Sequence, residues 1–184
     1  MKLLSHYLPN YQFAEEHSLY IPASPGLVLD AASRPEVVDD PLARRLIALR
    51  ELPNRLLGRL GFASALSTRP AFSASNFTFL GRDADHELAY GLAGRFWRSD
   101  YGLVEMADAR DFEALDPAGL AKLVLNFTAQ VEGSGTRLTT RTRVWCGDNS
   151  ARRRFNAYWL LIRPASGLIR RRLLQRVRDA ALKA

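Results

Sequence analysis

The sequence predicts an α+β fold in which a curved antiparallel sheet of six or seven strands wraps around one long C-terminal helix. Two patterns predict it: an alternation of apolar and polar residues on both arms of a hairpin from Lys122 to Cys146, and a basic, aromatic-rich helical segment from about Ser150 to Leu182. With 184 residues, of which 47% are hydrophobic and 24% charged, the chain fits one globular domain over residues 1–184.

The N-terminal half begins with a strand and continues with small helices. The strand is predicted from Tyr11 to Pro22, because alternate residues form one face there. That face holds Phe13, Glu15, His17, Leu19 and Ile21. Ser24-Pro25 and Asp40-Pro41 each place a capping residue before a proline, which predicts two helix starts. A shorter helix over Asn54–Leu60 and a loop over Phe62–Ser75 follow.

The middle of the chain is predicted to add strands over Phe77–Leu80, Glu87–Arg98 and Tyr101–Met106, then a capped helical turn over Asp108–Leu115. The second of these strands has two distinct faces. One face carries Leu88, Tyr90, Leu92 and Phe96, and the other carries Ala89, Gly91, Ala93, Arg95 and Trp97.

The hairpin is predicted to close at Glu132 and Arg137, around the turn sequence Gly133–Thr136. In that register inward residues face inward residues. The expected pairs are Ala129–Thr140, Phe127–Thr142 and Leu125–Val144, with Val124 beside Trp145 on the outer face.

All of the excess positive charge lies at the C-terminal end of the chain. Residues 151–184 contain ten basic residues and one acidic residue, net +9, whereas residues 1–150 carry 16 basic and 18 acidic residues, net −2. Such a segment fits a solvated outer face, or a contact with an anionic membrane or another macromolecule. No recognition motif accompanies the charge, so no specific nucleic-acid partner is expected.

Several kinds of site have no motif in the sequence. The three histidines are scattered, Cys146 is the only cysteine, and neither His-x-x-x-His nor Cys-x-x-Cys occurs, so we expect no metal site. Nucleotide-cradling glycine motifs and the Gly-x-Ser-x-Gly elbow are absent, so we expect no cofactor. The lone cysteine and the lack of long apolar runs predict a soluble cytoplasmic protein, whose oligomeric state stays open.

The order of elements resembles the helix-grip fold of the START-like superfamily, also called SRPBCC. The resemblance covers nearly the whole chain and rests on Ile21-Pro22-Ala23-Ser24-Pro25 with Val28, on the late hairpin and on the closing helix. It is greatest to the bacterial polyketide cyclase/dehydrase-like branch, in which an aromatic often follows the position of Val28; this chain has Leu29. The resemblance implies an apolar cavity between the sheet and the long helix, and it carries over no catalytic residue.

The candidate ligand contacts come from the strands of the sheet and from the closing helix. They are His17, Tyr90, Arg95, Trp97, Leu125, Phe127, Thr140, Thr142, Tyr158, Trp159 and Ile162. His17 and Glu15 share a face, so they form either an acid–base pair in the cavity or a solvated pair at its rim. Thr140 and Thr142 either orient a polar ligand group or are ordinary strand formers.

Arg95 and the closing helix leave further alternatives. Arg95 lies among small residues, so it either points inward as an anchor for a ligand carboxylate or points outward and stacks on Trp97. The helix stripe is predicted to pack on the concave sheet face, and Pro164 is expected to kink the helix near Leu160. The stripe consists of Phe155, Trp159, Ile162, Ile169, Leu173 and Val177.

The sequence is compatible with three functions. The first is binding of a small hydrophobic or amphipathic molecule in the cavity, as a carrier or sensor. The second is a cyclase, lyase or hydrolase that acts in the same cavity. The third is a membrane or macromolecule contact through the basic C-terminal helix.

Overall fold

The structure, a computed structural model, describes residues 2–41, 45 and 74–183. The helices predicted after Asp40-Pro41 and over Asn54–Leu60, and most of the loop predicted over Phe62–Ser75, lie outside the described residues. In chain order the elements are α1 (Lys2–Tyr7), β1 (Phe13–Ile21), α2 (Pro25–Ser33), α3 (Pro35–Val38), a 3-10 turn (Ala74–Asn76), β2 (Thr78–Asp83), β3 (Glu87–Gly94), α4 (Ala109–Ala114), β4 (Ala121–Glu132), β5 (Gly135–Cys146) and α5 (Asn149–Ala181).

The described strands form one antiparallel sheet in the order β1-β5-β4-β3-β2, and the fold class is α+β as predicted. The sheet has five strands where six or seven were expected. The strand predicted over Tyr101–Met106 is wrong. That segment runs beside β3, where Val104 N donates to Ala93 O at 3.0 Å, but Tyr101 and Gly102 take φ values of +59° and +46°. Such a backbone cannot continue a regular ladder.

The β4–β5 hairpin is confirmed, and so is the face of each side chain, but the predicted register is wrong by two residues. The strands close at Glu132 and Gly135 around a two-residue turn, in which Gly133 takes φ +58°. Glycine adopts this conformation at no steric cost. Because the displacement is two residues, no side chain changes face. The observed pairs include Ala129–Leu138, Phe127–Thr140, Leu125–Thr142, Leu123–Val144 and Val124–Arg143.

The concave face of the sheet is covered by α5, which begins at the cap of Asp148 and continues through Pro164. Its apolar residues pack in two clusters at opposite ends of the helix. The first contains Ala151, Phe155 and Trp159 with Leu92 and Val144, and the second contains Leu173, Leu174, Val177 and Ala181 with Val28, Leu29, Phe127 and Leu138. The predicted packing of the helix stripe on the concave face is therefore confirmed at both ends.

The convex face is covered by α1 and α4. The sequence did not indicate α1, yet Leu4 and Leu8 are buried there against Val124 and Phe112. The buried carboxylate of Glu87 holds the start of this helix, since Leu3 N and Leu4 N both donate to it at 3.0 Å. Asn126 Nδ2 adds a third donor at 2.8 Å.

Candidate functional site

The middle of α5 lies over two neighbouring rows of side chains on the concave face. Strand pairing places them next to one another, because directly paired residues on one face lie about 5 Å apart. The first row runs Glu15, Thr142, Leu125, Tyr90, and the second runs His17, Thr140, Phe127, Leu88. Both rows are polar at the β1–β5 side and apolar at the β4–β3 side, so the surface beneath the helix is amphipathic.

A carboxylate–imidazole pair forms the outermost part of the polar side. His17 Nε2 and Glu15 Oε1 lie 2.7 Å apart, and only 17% and 9% of the two side chains are exposed. The interpretation that both are solvated at a rim is therefore wrong. Ser166 Oγ donates to the other carboxylate oxygen of Glu15 at 2.9 Å. A side chain at Gly167 would contact the Glu15 carboxylate at 3.3 Å, so glycine allows the helix to approach this closely.

Arg170 brings a positive charge to the same region, one helical turn after Ser166. Its Nη1 atom is buried and has no hydrogen-bond partner in the described part of the chain. Burial lowers the pKa of Arg170 to about 10, while the negative charge of Glu15 acts in the opposite direction. A guanidinium donates five hydrogen bonds and accepts none, so the free Nη1 group selects an acceptor atom.

Thr140 and Thr142 complete the polar side. They are 1% and 2% exposed, and within residues 2–41, 45 and 74–183 neither Oγ1 atom has a hydrogen-bond partner. Buried hydroxyls are normally bonded, and leaving one without a partner costs about 1–3 kcal/mol. Three hydrogen-bonding groups that have no partner among the described residues thus lie in this part of the interior, two on β5 and one on α5.

The apolar side of the surface is formed by Leu125, Phe127, Leu88 and Tyr90. Tyr90 is half-buried, and its ring meets Phe79 edge-on with centroids 5.8 Å apart. Burial raises the pKa of Tyr90, opposed by the positive charge of Arg82. Tyr90 remains a neutral phenol at neutral pH, and this half of the surface carries no charge.

Four predicted contacts belong to the apolar cluster near the N-terminal end of α5. They are Trp97, Tyr158, Trp159 and Ile162. Trp159 packs against the rings of Phe13 and Phe155 at centroid distances of 6.0 and 5.8 Å. The structure therefore gathers His17, Thr140, Thr142, Leu125, Phe127 and Tyr90 in the two rows and places the other four in the neighbouring apolar cluster.

The inward alternative for Arg95 is wrong. β3 ends at Gly94, and Arg95 is exposed, with Nε donating to Gly119 O at 3.2 Å. The small residues preceding it leave room for α4, since a side chain at Gly91 would approach the Phe112 ring to 2.7 Å. The opposite face of β3 turns toward α5, as Leu88 and Leu92 show.

Sequence reasoning missed Ser166 and Arg170 as site residues. Ser166 lies four residues after Ile162, and Arg170 lies three before Leu173, so both have the spacing of the inward stripe. A polar residue at an inward position of an amphipathic helix is the signal that would have found them.

A second feature is an open cleft of about 500 Å³ at the start of α5. Its lining is polar, with Gln12, Asn149, Asn156, Arg152 and Arg153 around Phe13. Both side-chain ends of Gln12 are already bonded to the backbone of Cys146. No group of three metal-ligating side chains occurs in the part of the chain that the structure describes.

No family model matches the sequence, and no curated protein matches it. Solved structures with a similar arrangement include TTHA0849 from Thermus thermophilus, at 12% identity and a TM-score of 0.34, over 93% of this chain and 98% of that one. An uncharacterized protein from Rhizobium leguminosarum gives 12% and 0.39, over 94% and 98% of the two chains. Ara h 8.0201 gives 7% and 0.29, over 94% and 99%. At these values the similarities carry no argument about activity.

Proposed function

We propose that this protein binds a small amphipathic molecule between the concave face of the sheet and the middle of α5. The polar head group lies beside Arg170, Thr140 and Thr142, and the apolar body lies over Leu125 and Tyr90. The observation that carries the proposal is the set of buried hydrogen-bonding groups without partners next to apolar side chains. A ligand that supplies the missing partners recovers the free energy that those groups cost the empty protein.

The free groups also restrict the head group. Arg170 can only donate, whereas a threonine hydroxyl both donates and accepts. A head group that serves all three must therefore present acceptor oxygens, as a carboxylate or a carbonyl does. A primary ammonium group has no acceptor and brings a second positive charge beside Arg170, so it is excluded.

Binding of three twelve-carbon probes tests the proposal: dodecanoate, methyl dodecanoate and dodecylammonium. We expect tightest binding of dodecanoate, weaker binding of the ester and none of the amine, measured by isothermal titration calorimetry on the full chain. Native mass spectrometry of the purified protein, before any probe is added, shows whether a molecule of this class is already bound.

Two threonine-to-valine variants of β5 test whether the ligand contacts a buried hydroxyl. Thr142→Val keeps the shape of the side chain and removes a buried group without a partner, so we expect unchanged or higher stability and at least tenfold weaker binding of dodecanoate. Thr139→Val, on the other face of β5, is the control. Equal effects of the two substitutions on binding, or equal affinity for all three probes, would contradict the proposal.

The Glu15–His17 pair favours a second candidate, an enzyme of the cyclase, lyase or hydrolase kind in the same interior. A carboxylate that orients one ring nitrogen leaves the other to exchange a proton with a substrate, and Nδ1 of His17 has no partner among the described residues. If a bound molecule is converted, His17→Gln should abolish turnover and leave its dissociation constant within about threefold. Turnover that persists in His17→Gln excludes this pair as the catalyst.

A further inference from the structure

The outer face of α5 carries large apolar side chains that the fold does not use. Leu160, Leu161 and Leu168 are 65%, 80% and 50% exposed. Leu161, Pro164 and Leu168 lie three and four residues apart, so they follow one face of the helix. The buried stripe of the same helix lies on the opposite side, so these leucines add nothing to the two core clusters.

Arginines border this apolar face at both ends. Arg153 and Arg154 precede it, Arg171 follows it, and all three are exposed. None of the three has a salt bridge or a side-chain hydrogen bond within residues 2–41, 45 and 74–183. From Arg153 to Arg171 the face is about 27 Å long, at a rise of about 1.5 Å per residue.

Other arginines of α5, unlike the three at the outer face, are bonded to groups of the fold. Arg172 bonds the buried Asp40 carboxylate at 3.0 and 3.4 Å, and Arg176 donates to the carbonyl oxygens of Glu36 and Val37. These residues attach α3 to the helix. The positive charge at the outer face is therefore not required for the attachment of α3, and it remains available to an external partner.

We propose that the outer face of α5 docks on an anionic lipid surface. Its leucines enter the boundary between head groups and acyl chains, and Arg153, Arg154 and Arg171 contact lipid phosphates. The arginines and leucines together favour a lipid surface over two other partners of this face. A second copy of this chain would bring arginine against arginine, and a nucleic acid would leave the leucines unburied. No helix among the described residues is long and apolar enough to cross a membrane.

Sedimentation with lipid vesicles tests the docking surface. The full chain is mixed with vesicles of phosphatidylcholine alone, or of phosphatidylcholine with about one third phosphatidylglycerol, at low and high salt. We expect binding only to the anionic vesicles, weakened by salt because exposed charges are screened. Leu161→Gln combined with Leu168→Gln should weaken binding at least tenfold.

The control is Val131→Gln, which alters an apolar side chain that is also largely exposed (75%) at the end of the hairpin. It should bind the anionic vesicles as the unchanged chain does. Circular dichroism checks that each variant is folded, and dodecanoate binding in the interior should be unchanged in all of them. This readout separates failure of the docking surface from failure of the proposed ligand site.

Three outcomes would overturn the inference. Equal sedimentation with neutral and anionic vesicles removes the role of the arginines. Anionic binding that survives the leucine substitutions is charge attraction alone. Concentration-dependent dimers in analytical ultracentrifugation that the same leucine substitutions abolish would assign the face to a second copy of the chain.

Discussion

Arg170→Met and Arg172→Met should change stability in opposite directions, although the two residues lie two positions apart on one helix. Burial lowers the pKa of Arg170 from 12.5 to about 10. One pKa unit corresponds to about 1.4 kcal/mol, so holding the charge in this place costs the folded protein about 3 kcal/mol. Methionine keeps much of the stem's volume and removes that cost.

The attraction of Glu15 is already included in that pKa, but part of the gain is lost because methionine fills less space than the whole arginine side chain. We therefore expect Arg170→Met to raise the free energy of unfolding by about 1–2 kcal/mol at neutral pH, or a Tm about 3–6 °C higher. Arg172 is the control. Its ion pair holds the buried Asp40 and raises the pKa of Arg172, so Arg172→Met should lower the free energy of unfolding by about 1–3 kcal/mol.

Urea unfolding followed by tryptophan fluorescence measures both variants, and dodecanoate titration measures their function. The reasoning predicts that Arg170→Met is more stable and binds dodecanoate at least tenfold more weakly. If Arg170→Met is destabilised as much as Arg172→Met, then Arg170 is a structural partner of Glu15. A stabilised protein with unchanged binding would instead show that the ligand does not contact Arg170.

Three further predictions concern the rest of the fold. Glu87→Ala should cost about 2–4 kcal/mol and speed hydrogen exchange at the amide of Leu4, because two backbone donors lose their acceptor; unchanged exchange would show that α1 is held by other contacts. Phe155→Ala should cost about 3–5 kcal/mol in urea unfolding, whereas Leu161→Ala should change stability by less than about 0.5 kcal/mol, and similar losses would contradict the packing of α5. Burial raises the pKa of Cys146 to about 12, so its thiol should resist maleimide at pH 8 until the protein unfolds. The unfolded thiol releases its proton near pH 9, so this contribution to stability is complete below pH 9 and is lost between pH 9 and 12.

The alternation in β1 and in the β4–β5 hairpin was predictable because a period of two depends only on which face is buried. It fixed the inward direction of His17, Thr140 and Phe127, even though the register was wrong. The register depends on the turn, and Gly133-Ser134-Gly135-Thr136 is compatible with a two-residue or a four-residue loop. Local sequence does not choose between them.

Long-range contacts explain what the sequence did not show. The six residues of α1 are too few for a helix that is stable alone, and its carboxylate partner lies more than 80 residues away. The Glu15–His17 pair also depends on residues that are distant in the sequence. Its face was predictable from the strand, but its burial comes from Ser166 and Gly167, about 150 residues later in the chain.

The two faces of the sheet differ in how far their buried polar groups are hydrogen-bonded within the described part of the protein. On the convex face Glu87 accepts three hydrogen bonds, and Lys122 donates to the carbonyl oxygens of Phe112 and Leu115, although Asn126 Oδ1 has no partner among the described residues. On the concave face each oxygen of Glu15 has one hydrogen bond, to His17 or to Ser166, yet Thr140 Oγ1, Thr142 Oγ1 and Arg170 Nη1 have no partner in the described part of the protein.

Two hydroxyls and one guanidinium nitrogen that are buried without a partner among the described residues each reduce stability. Valine or methionine would fill about the same space without that cost. Local rules of stability fail most often where a residue serves a function. These three groups lie together in the middle of the interior, where α5 carries Ser166 and Arg170 between two apolar clusters. A ligand whose head group offers acceptor oxygens meets the requirement of all three groups at once. Arg172 already has a partner in Asp40, whereas Arg170 Nη1 has none among the described residues. This difference is why Arg170→Met and Arg172→Met are expected to change stability in opposite directions.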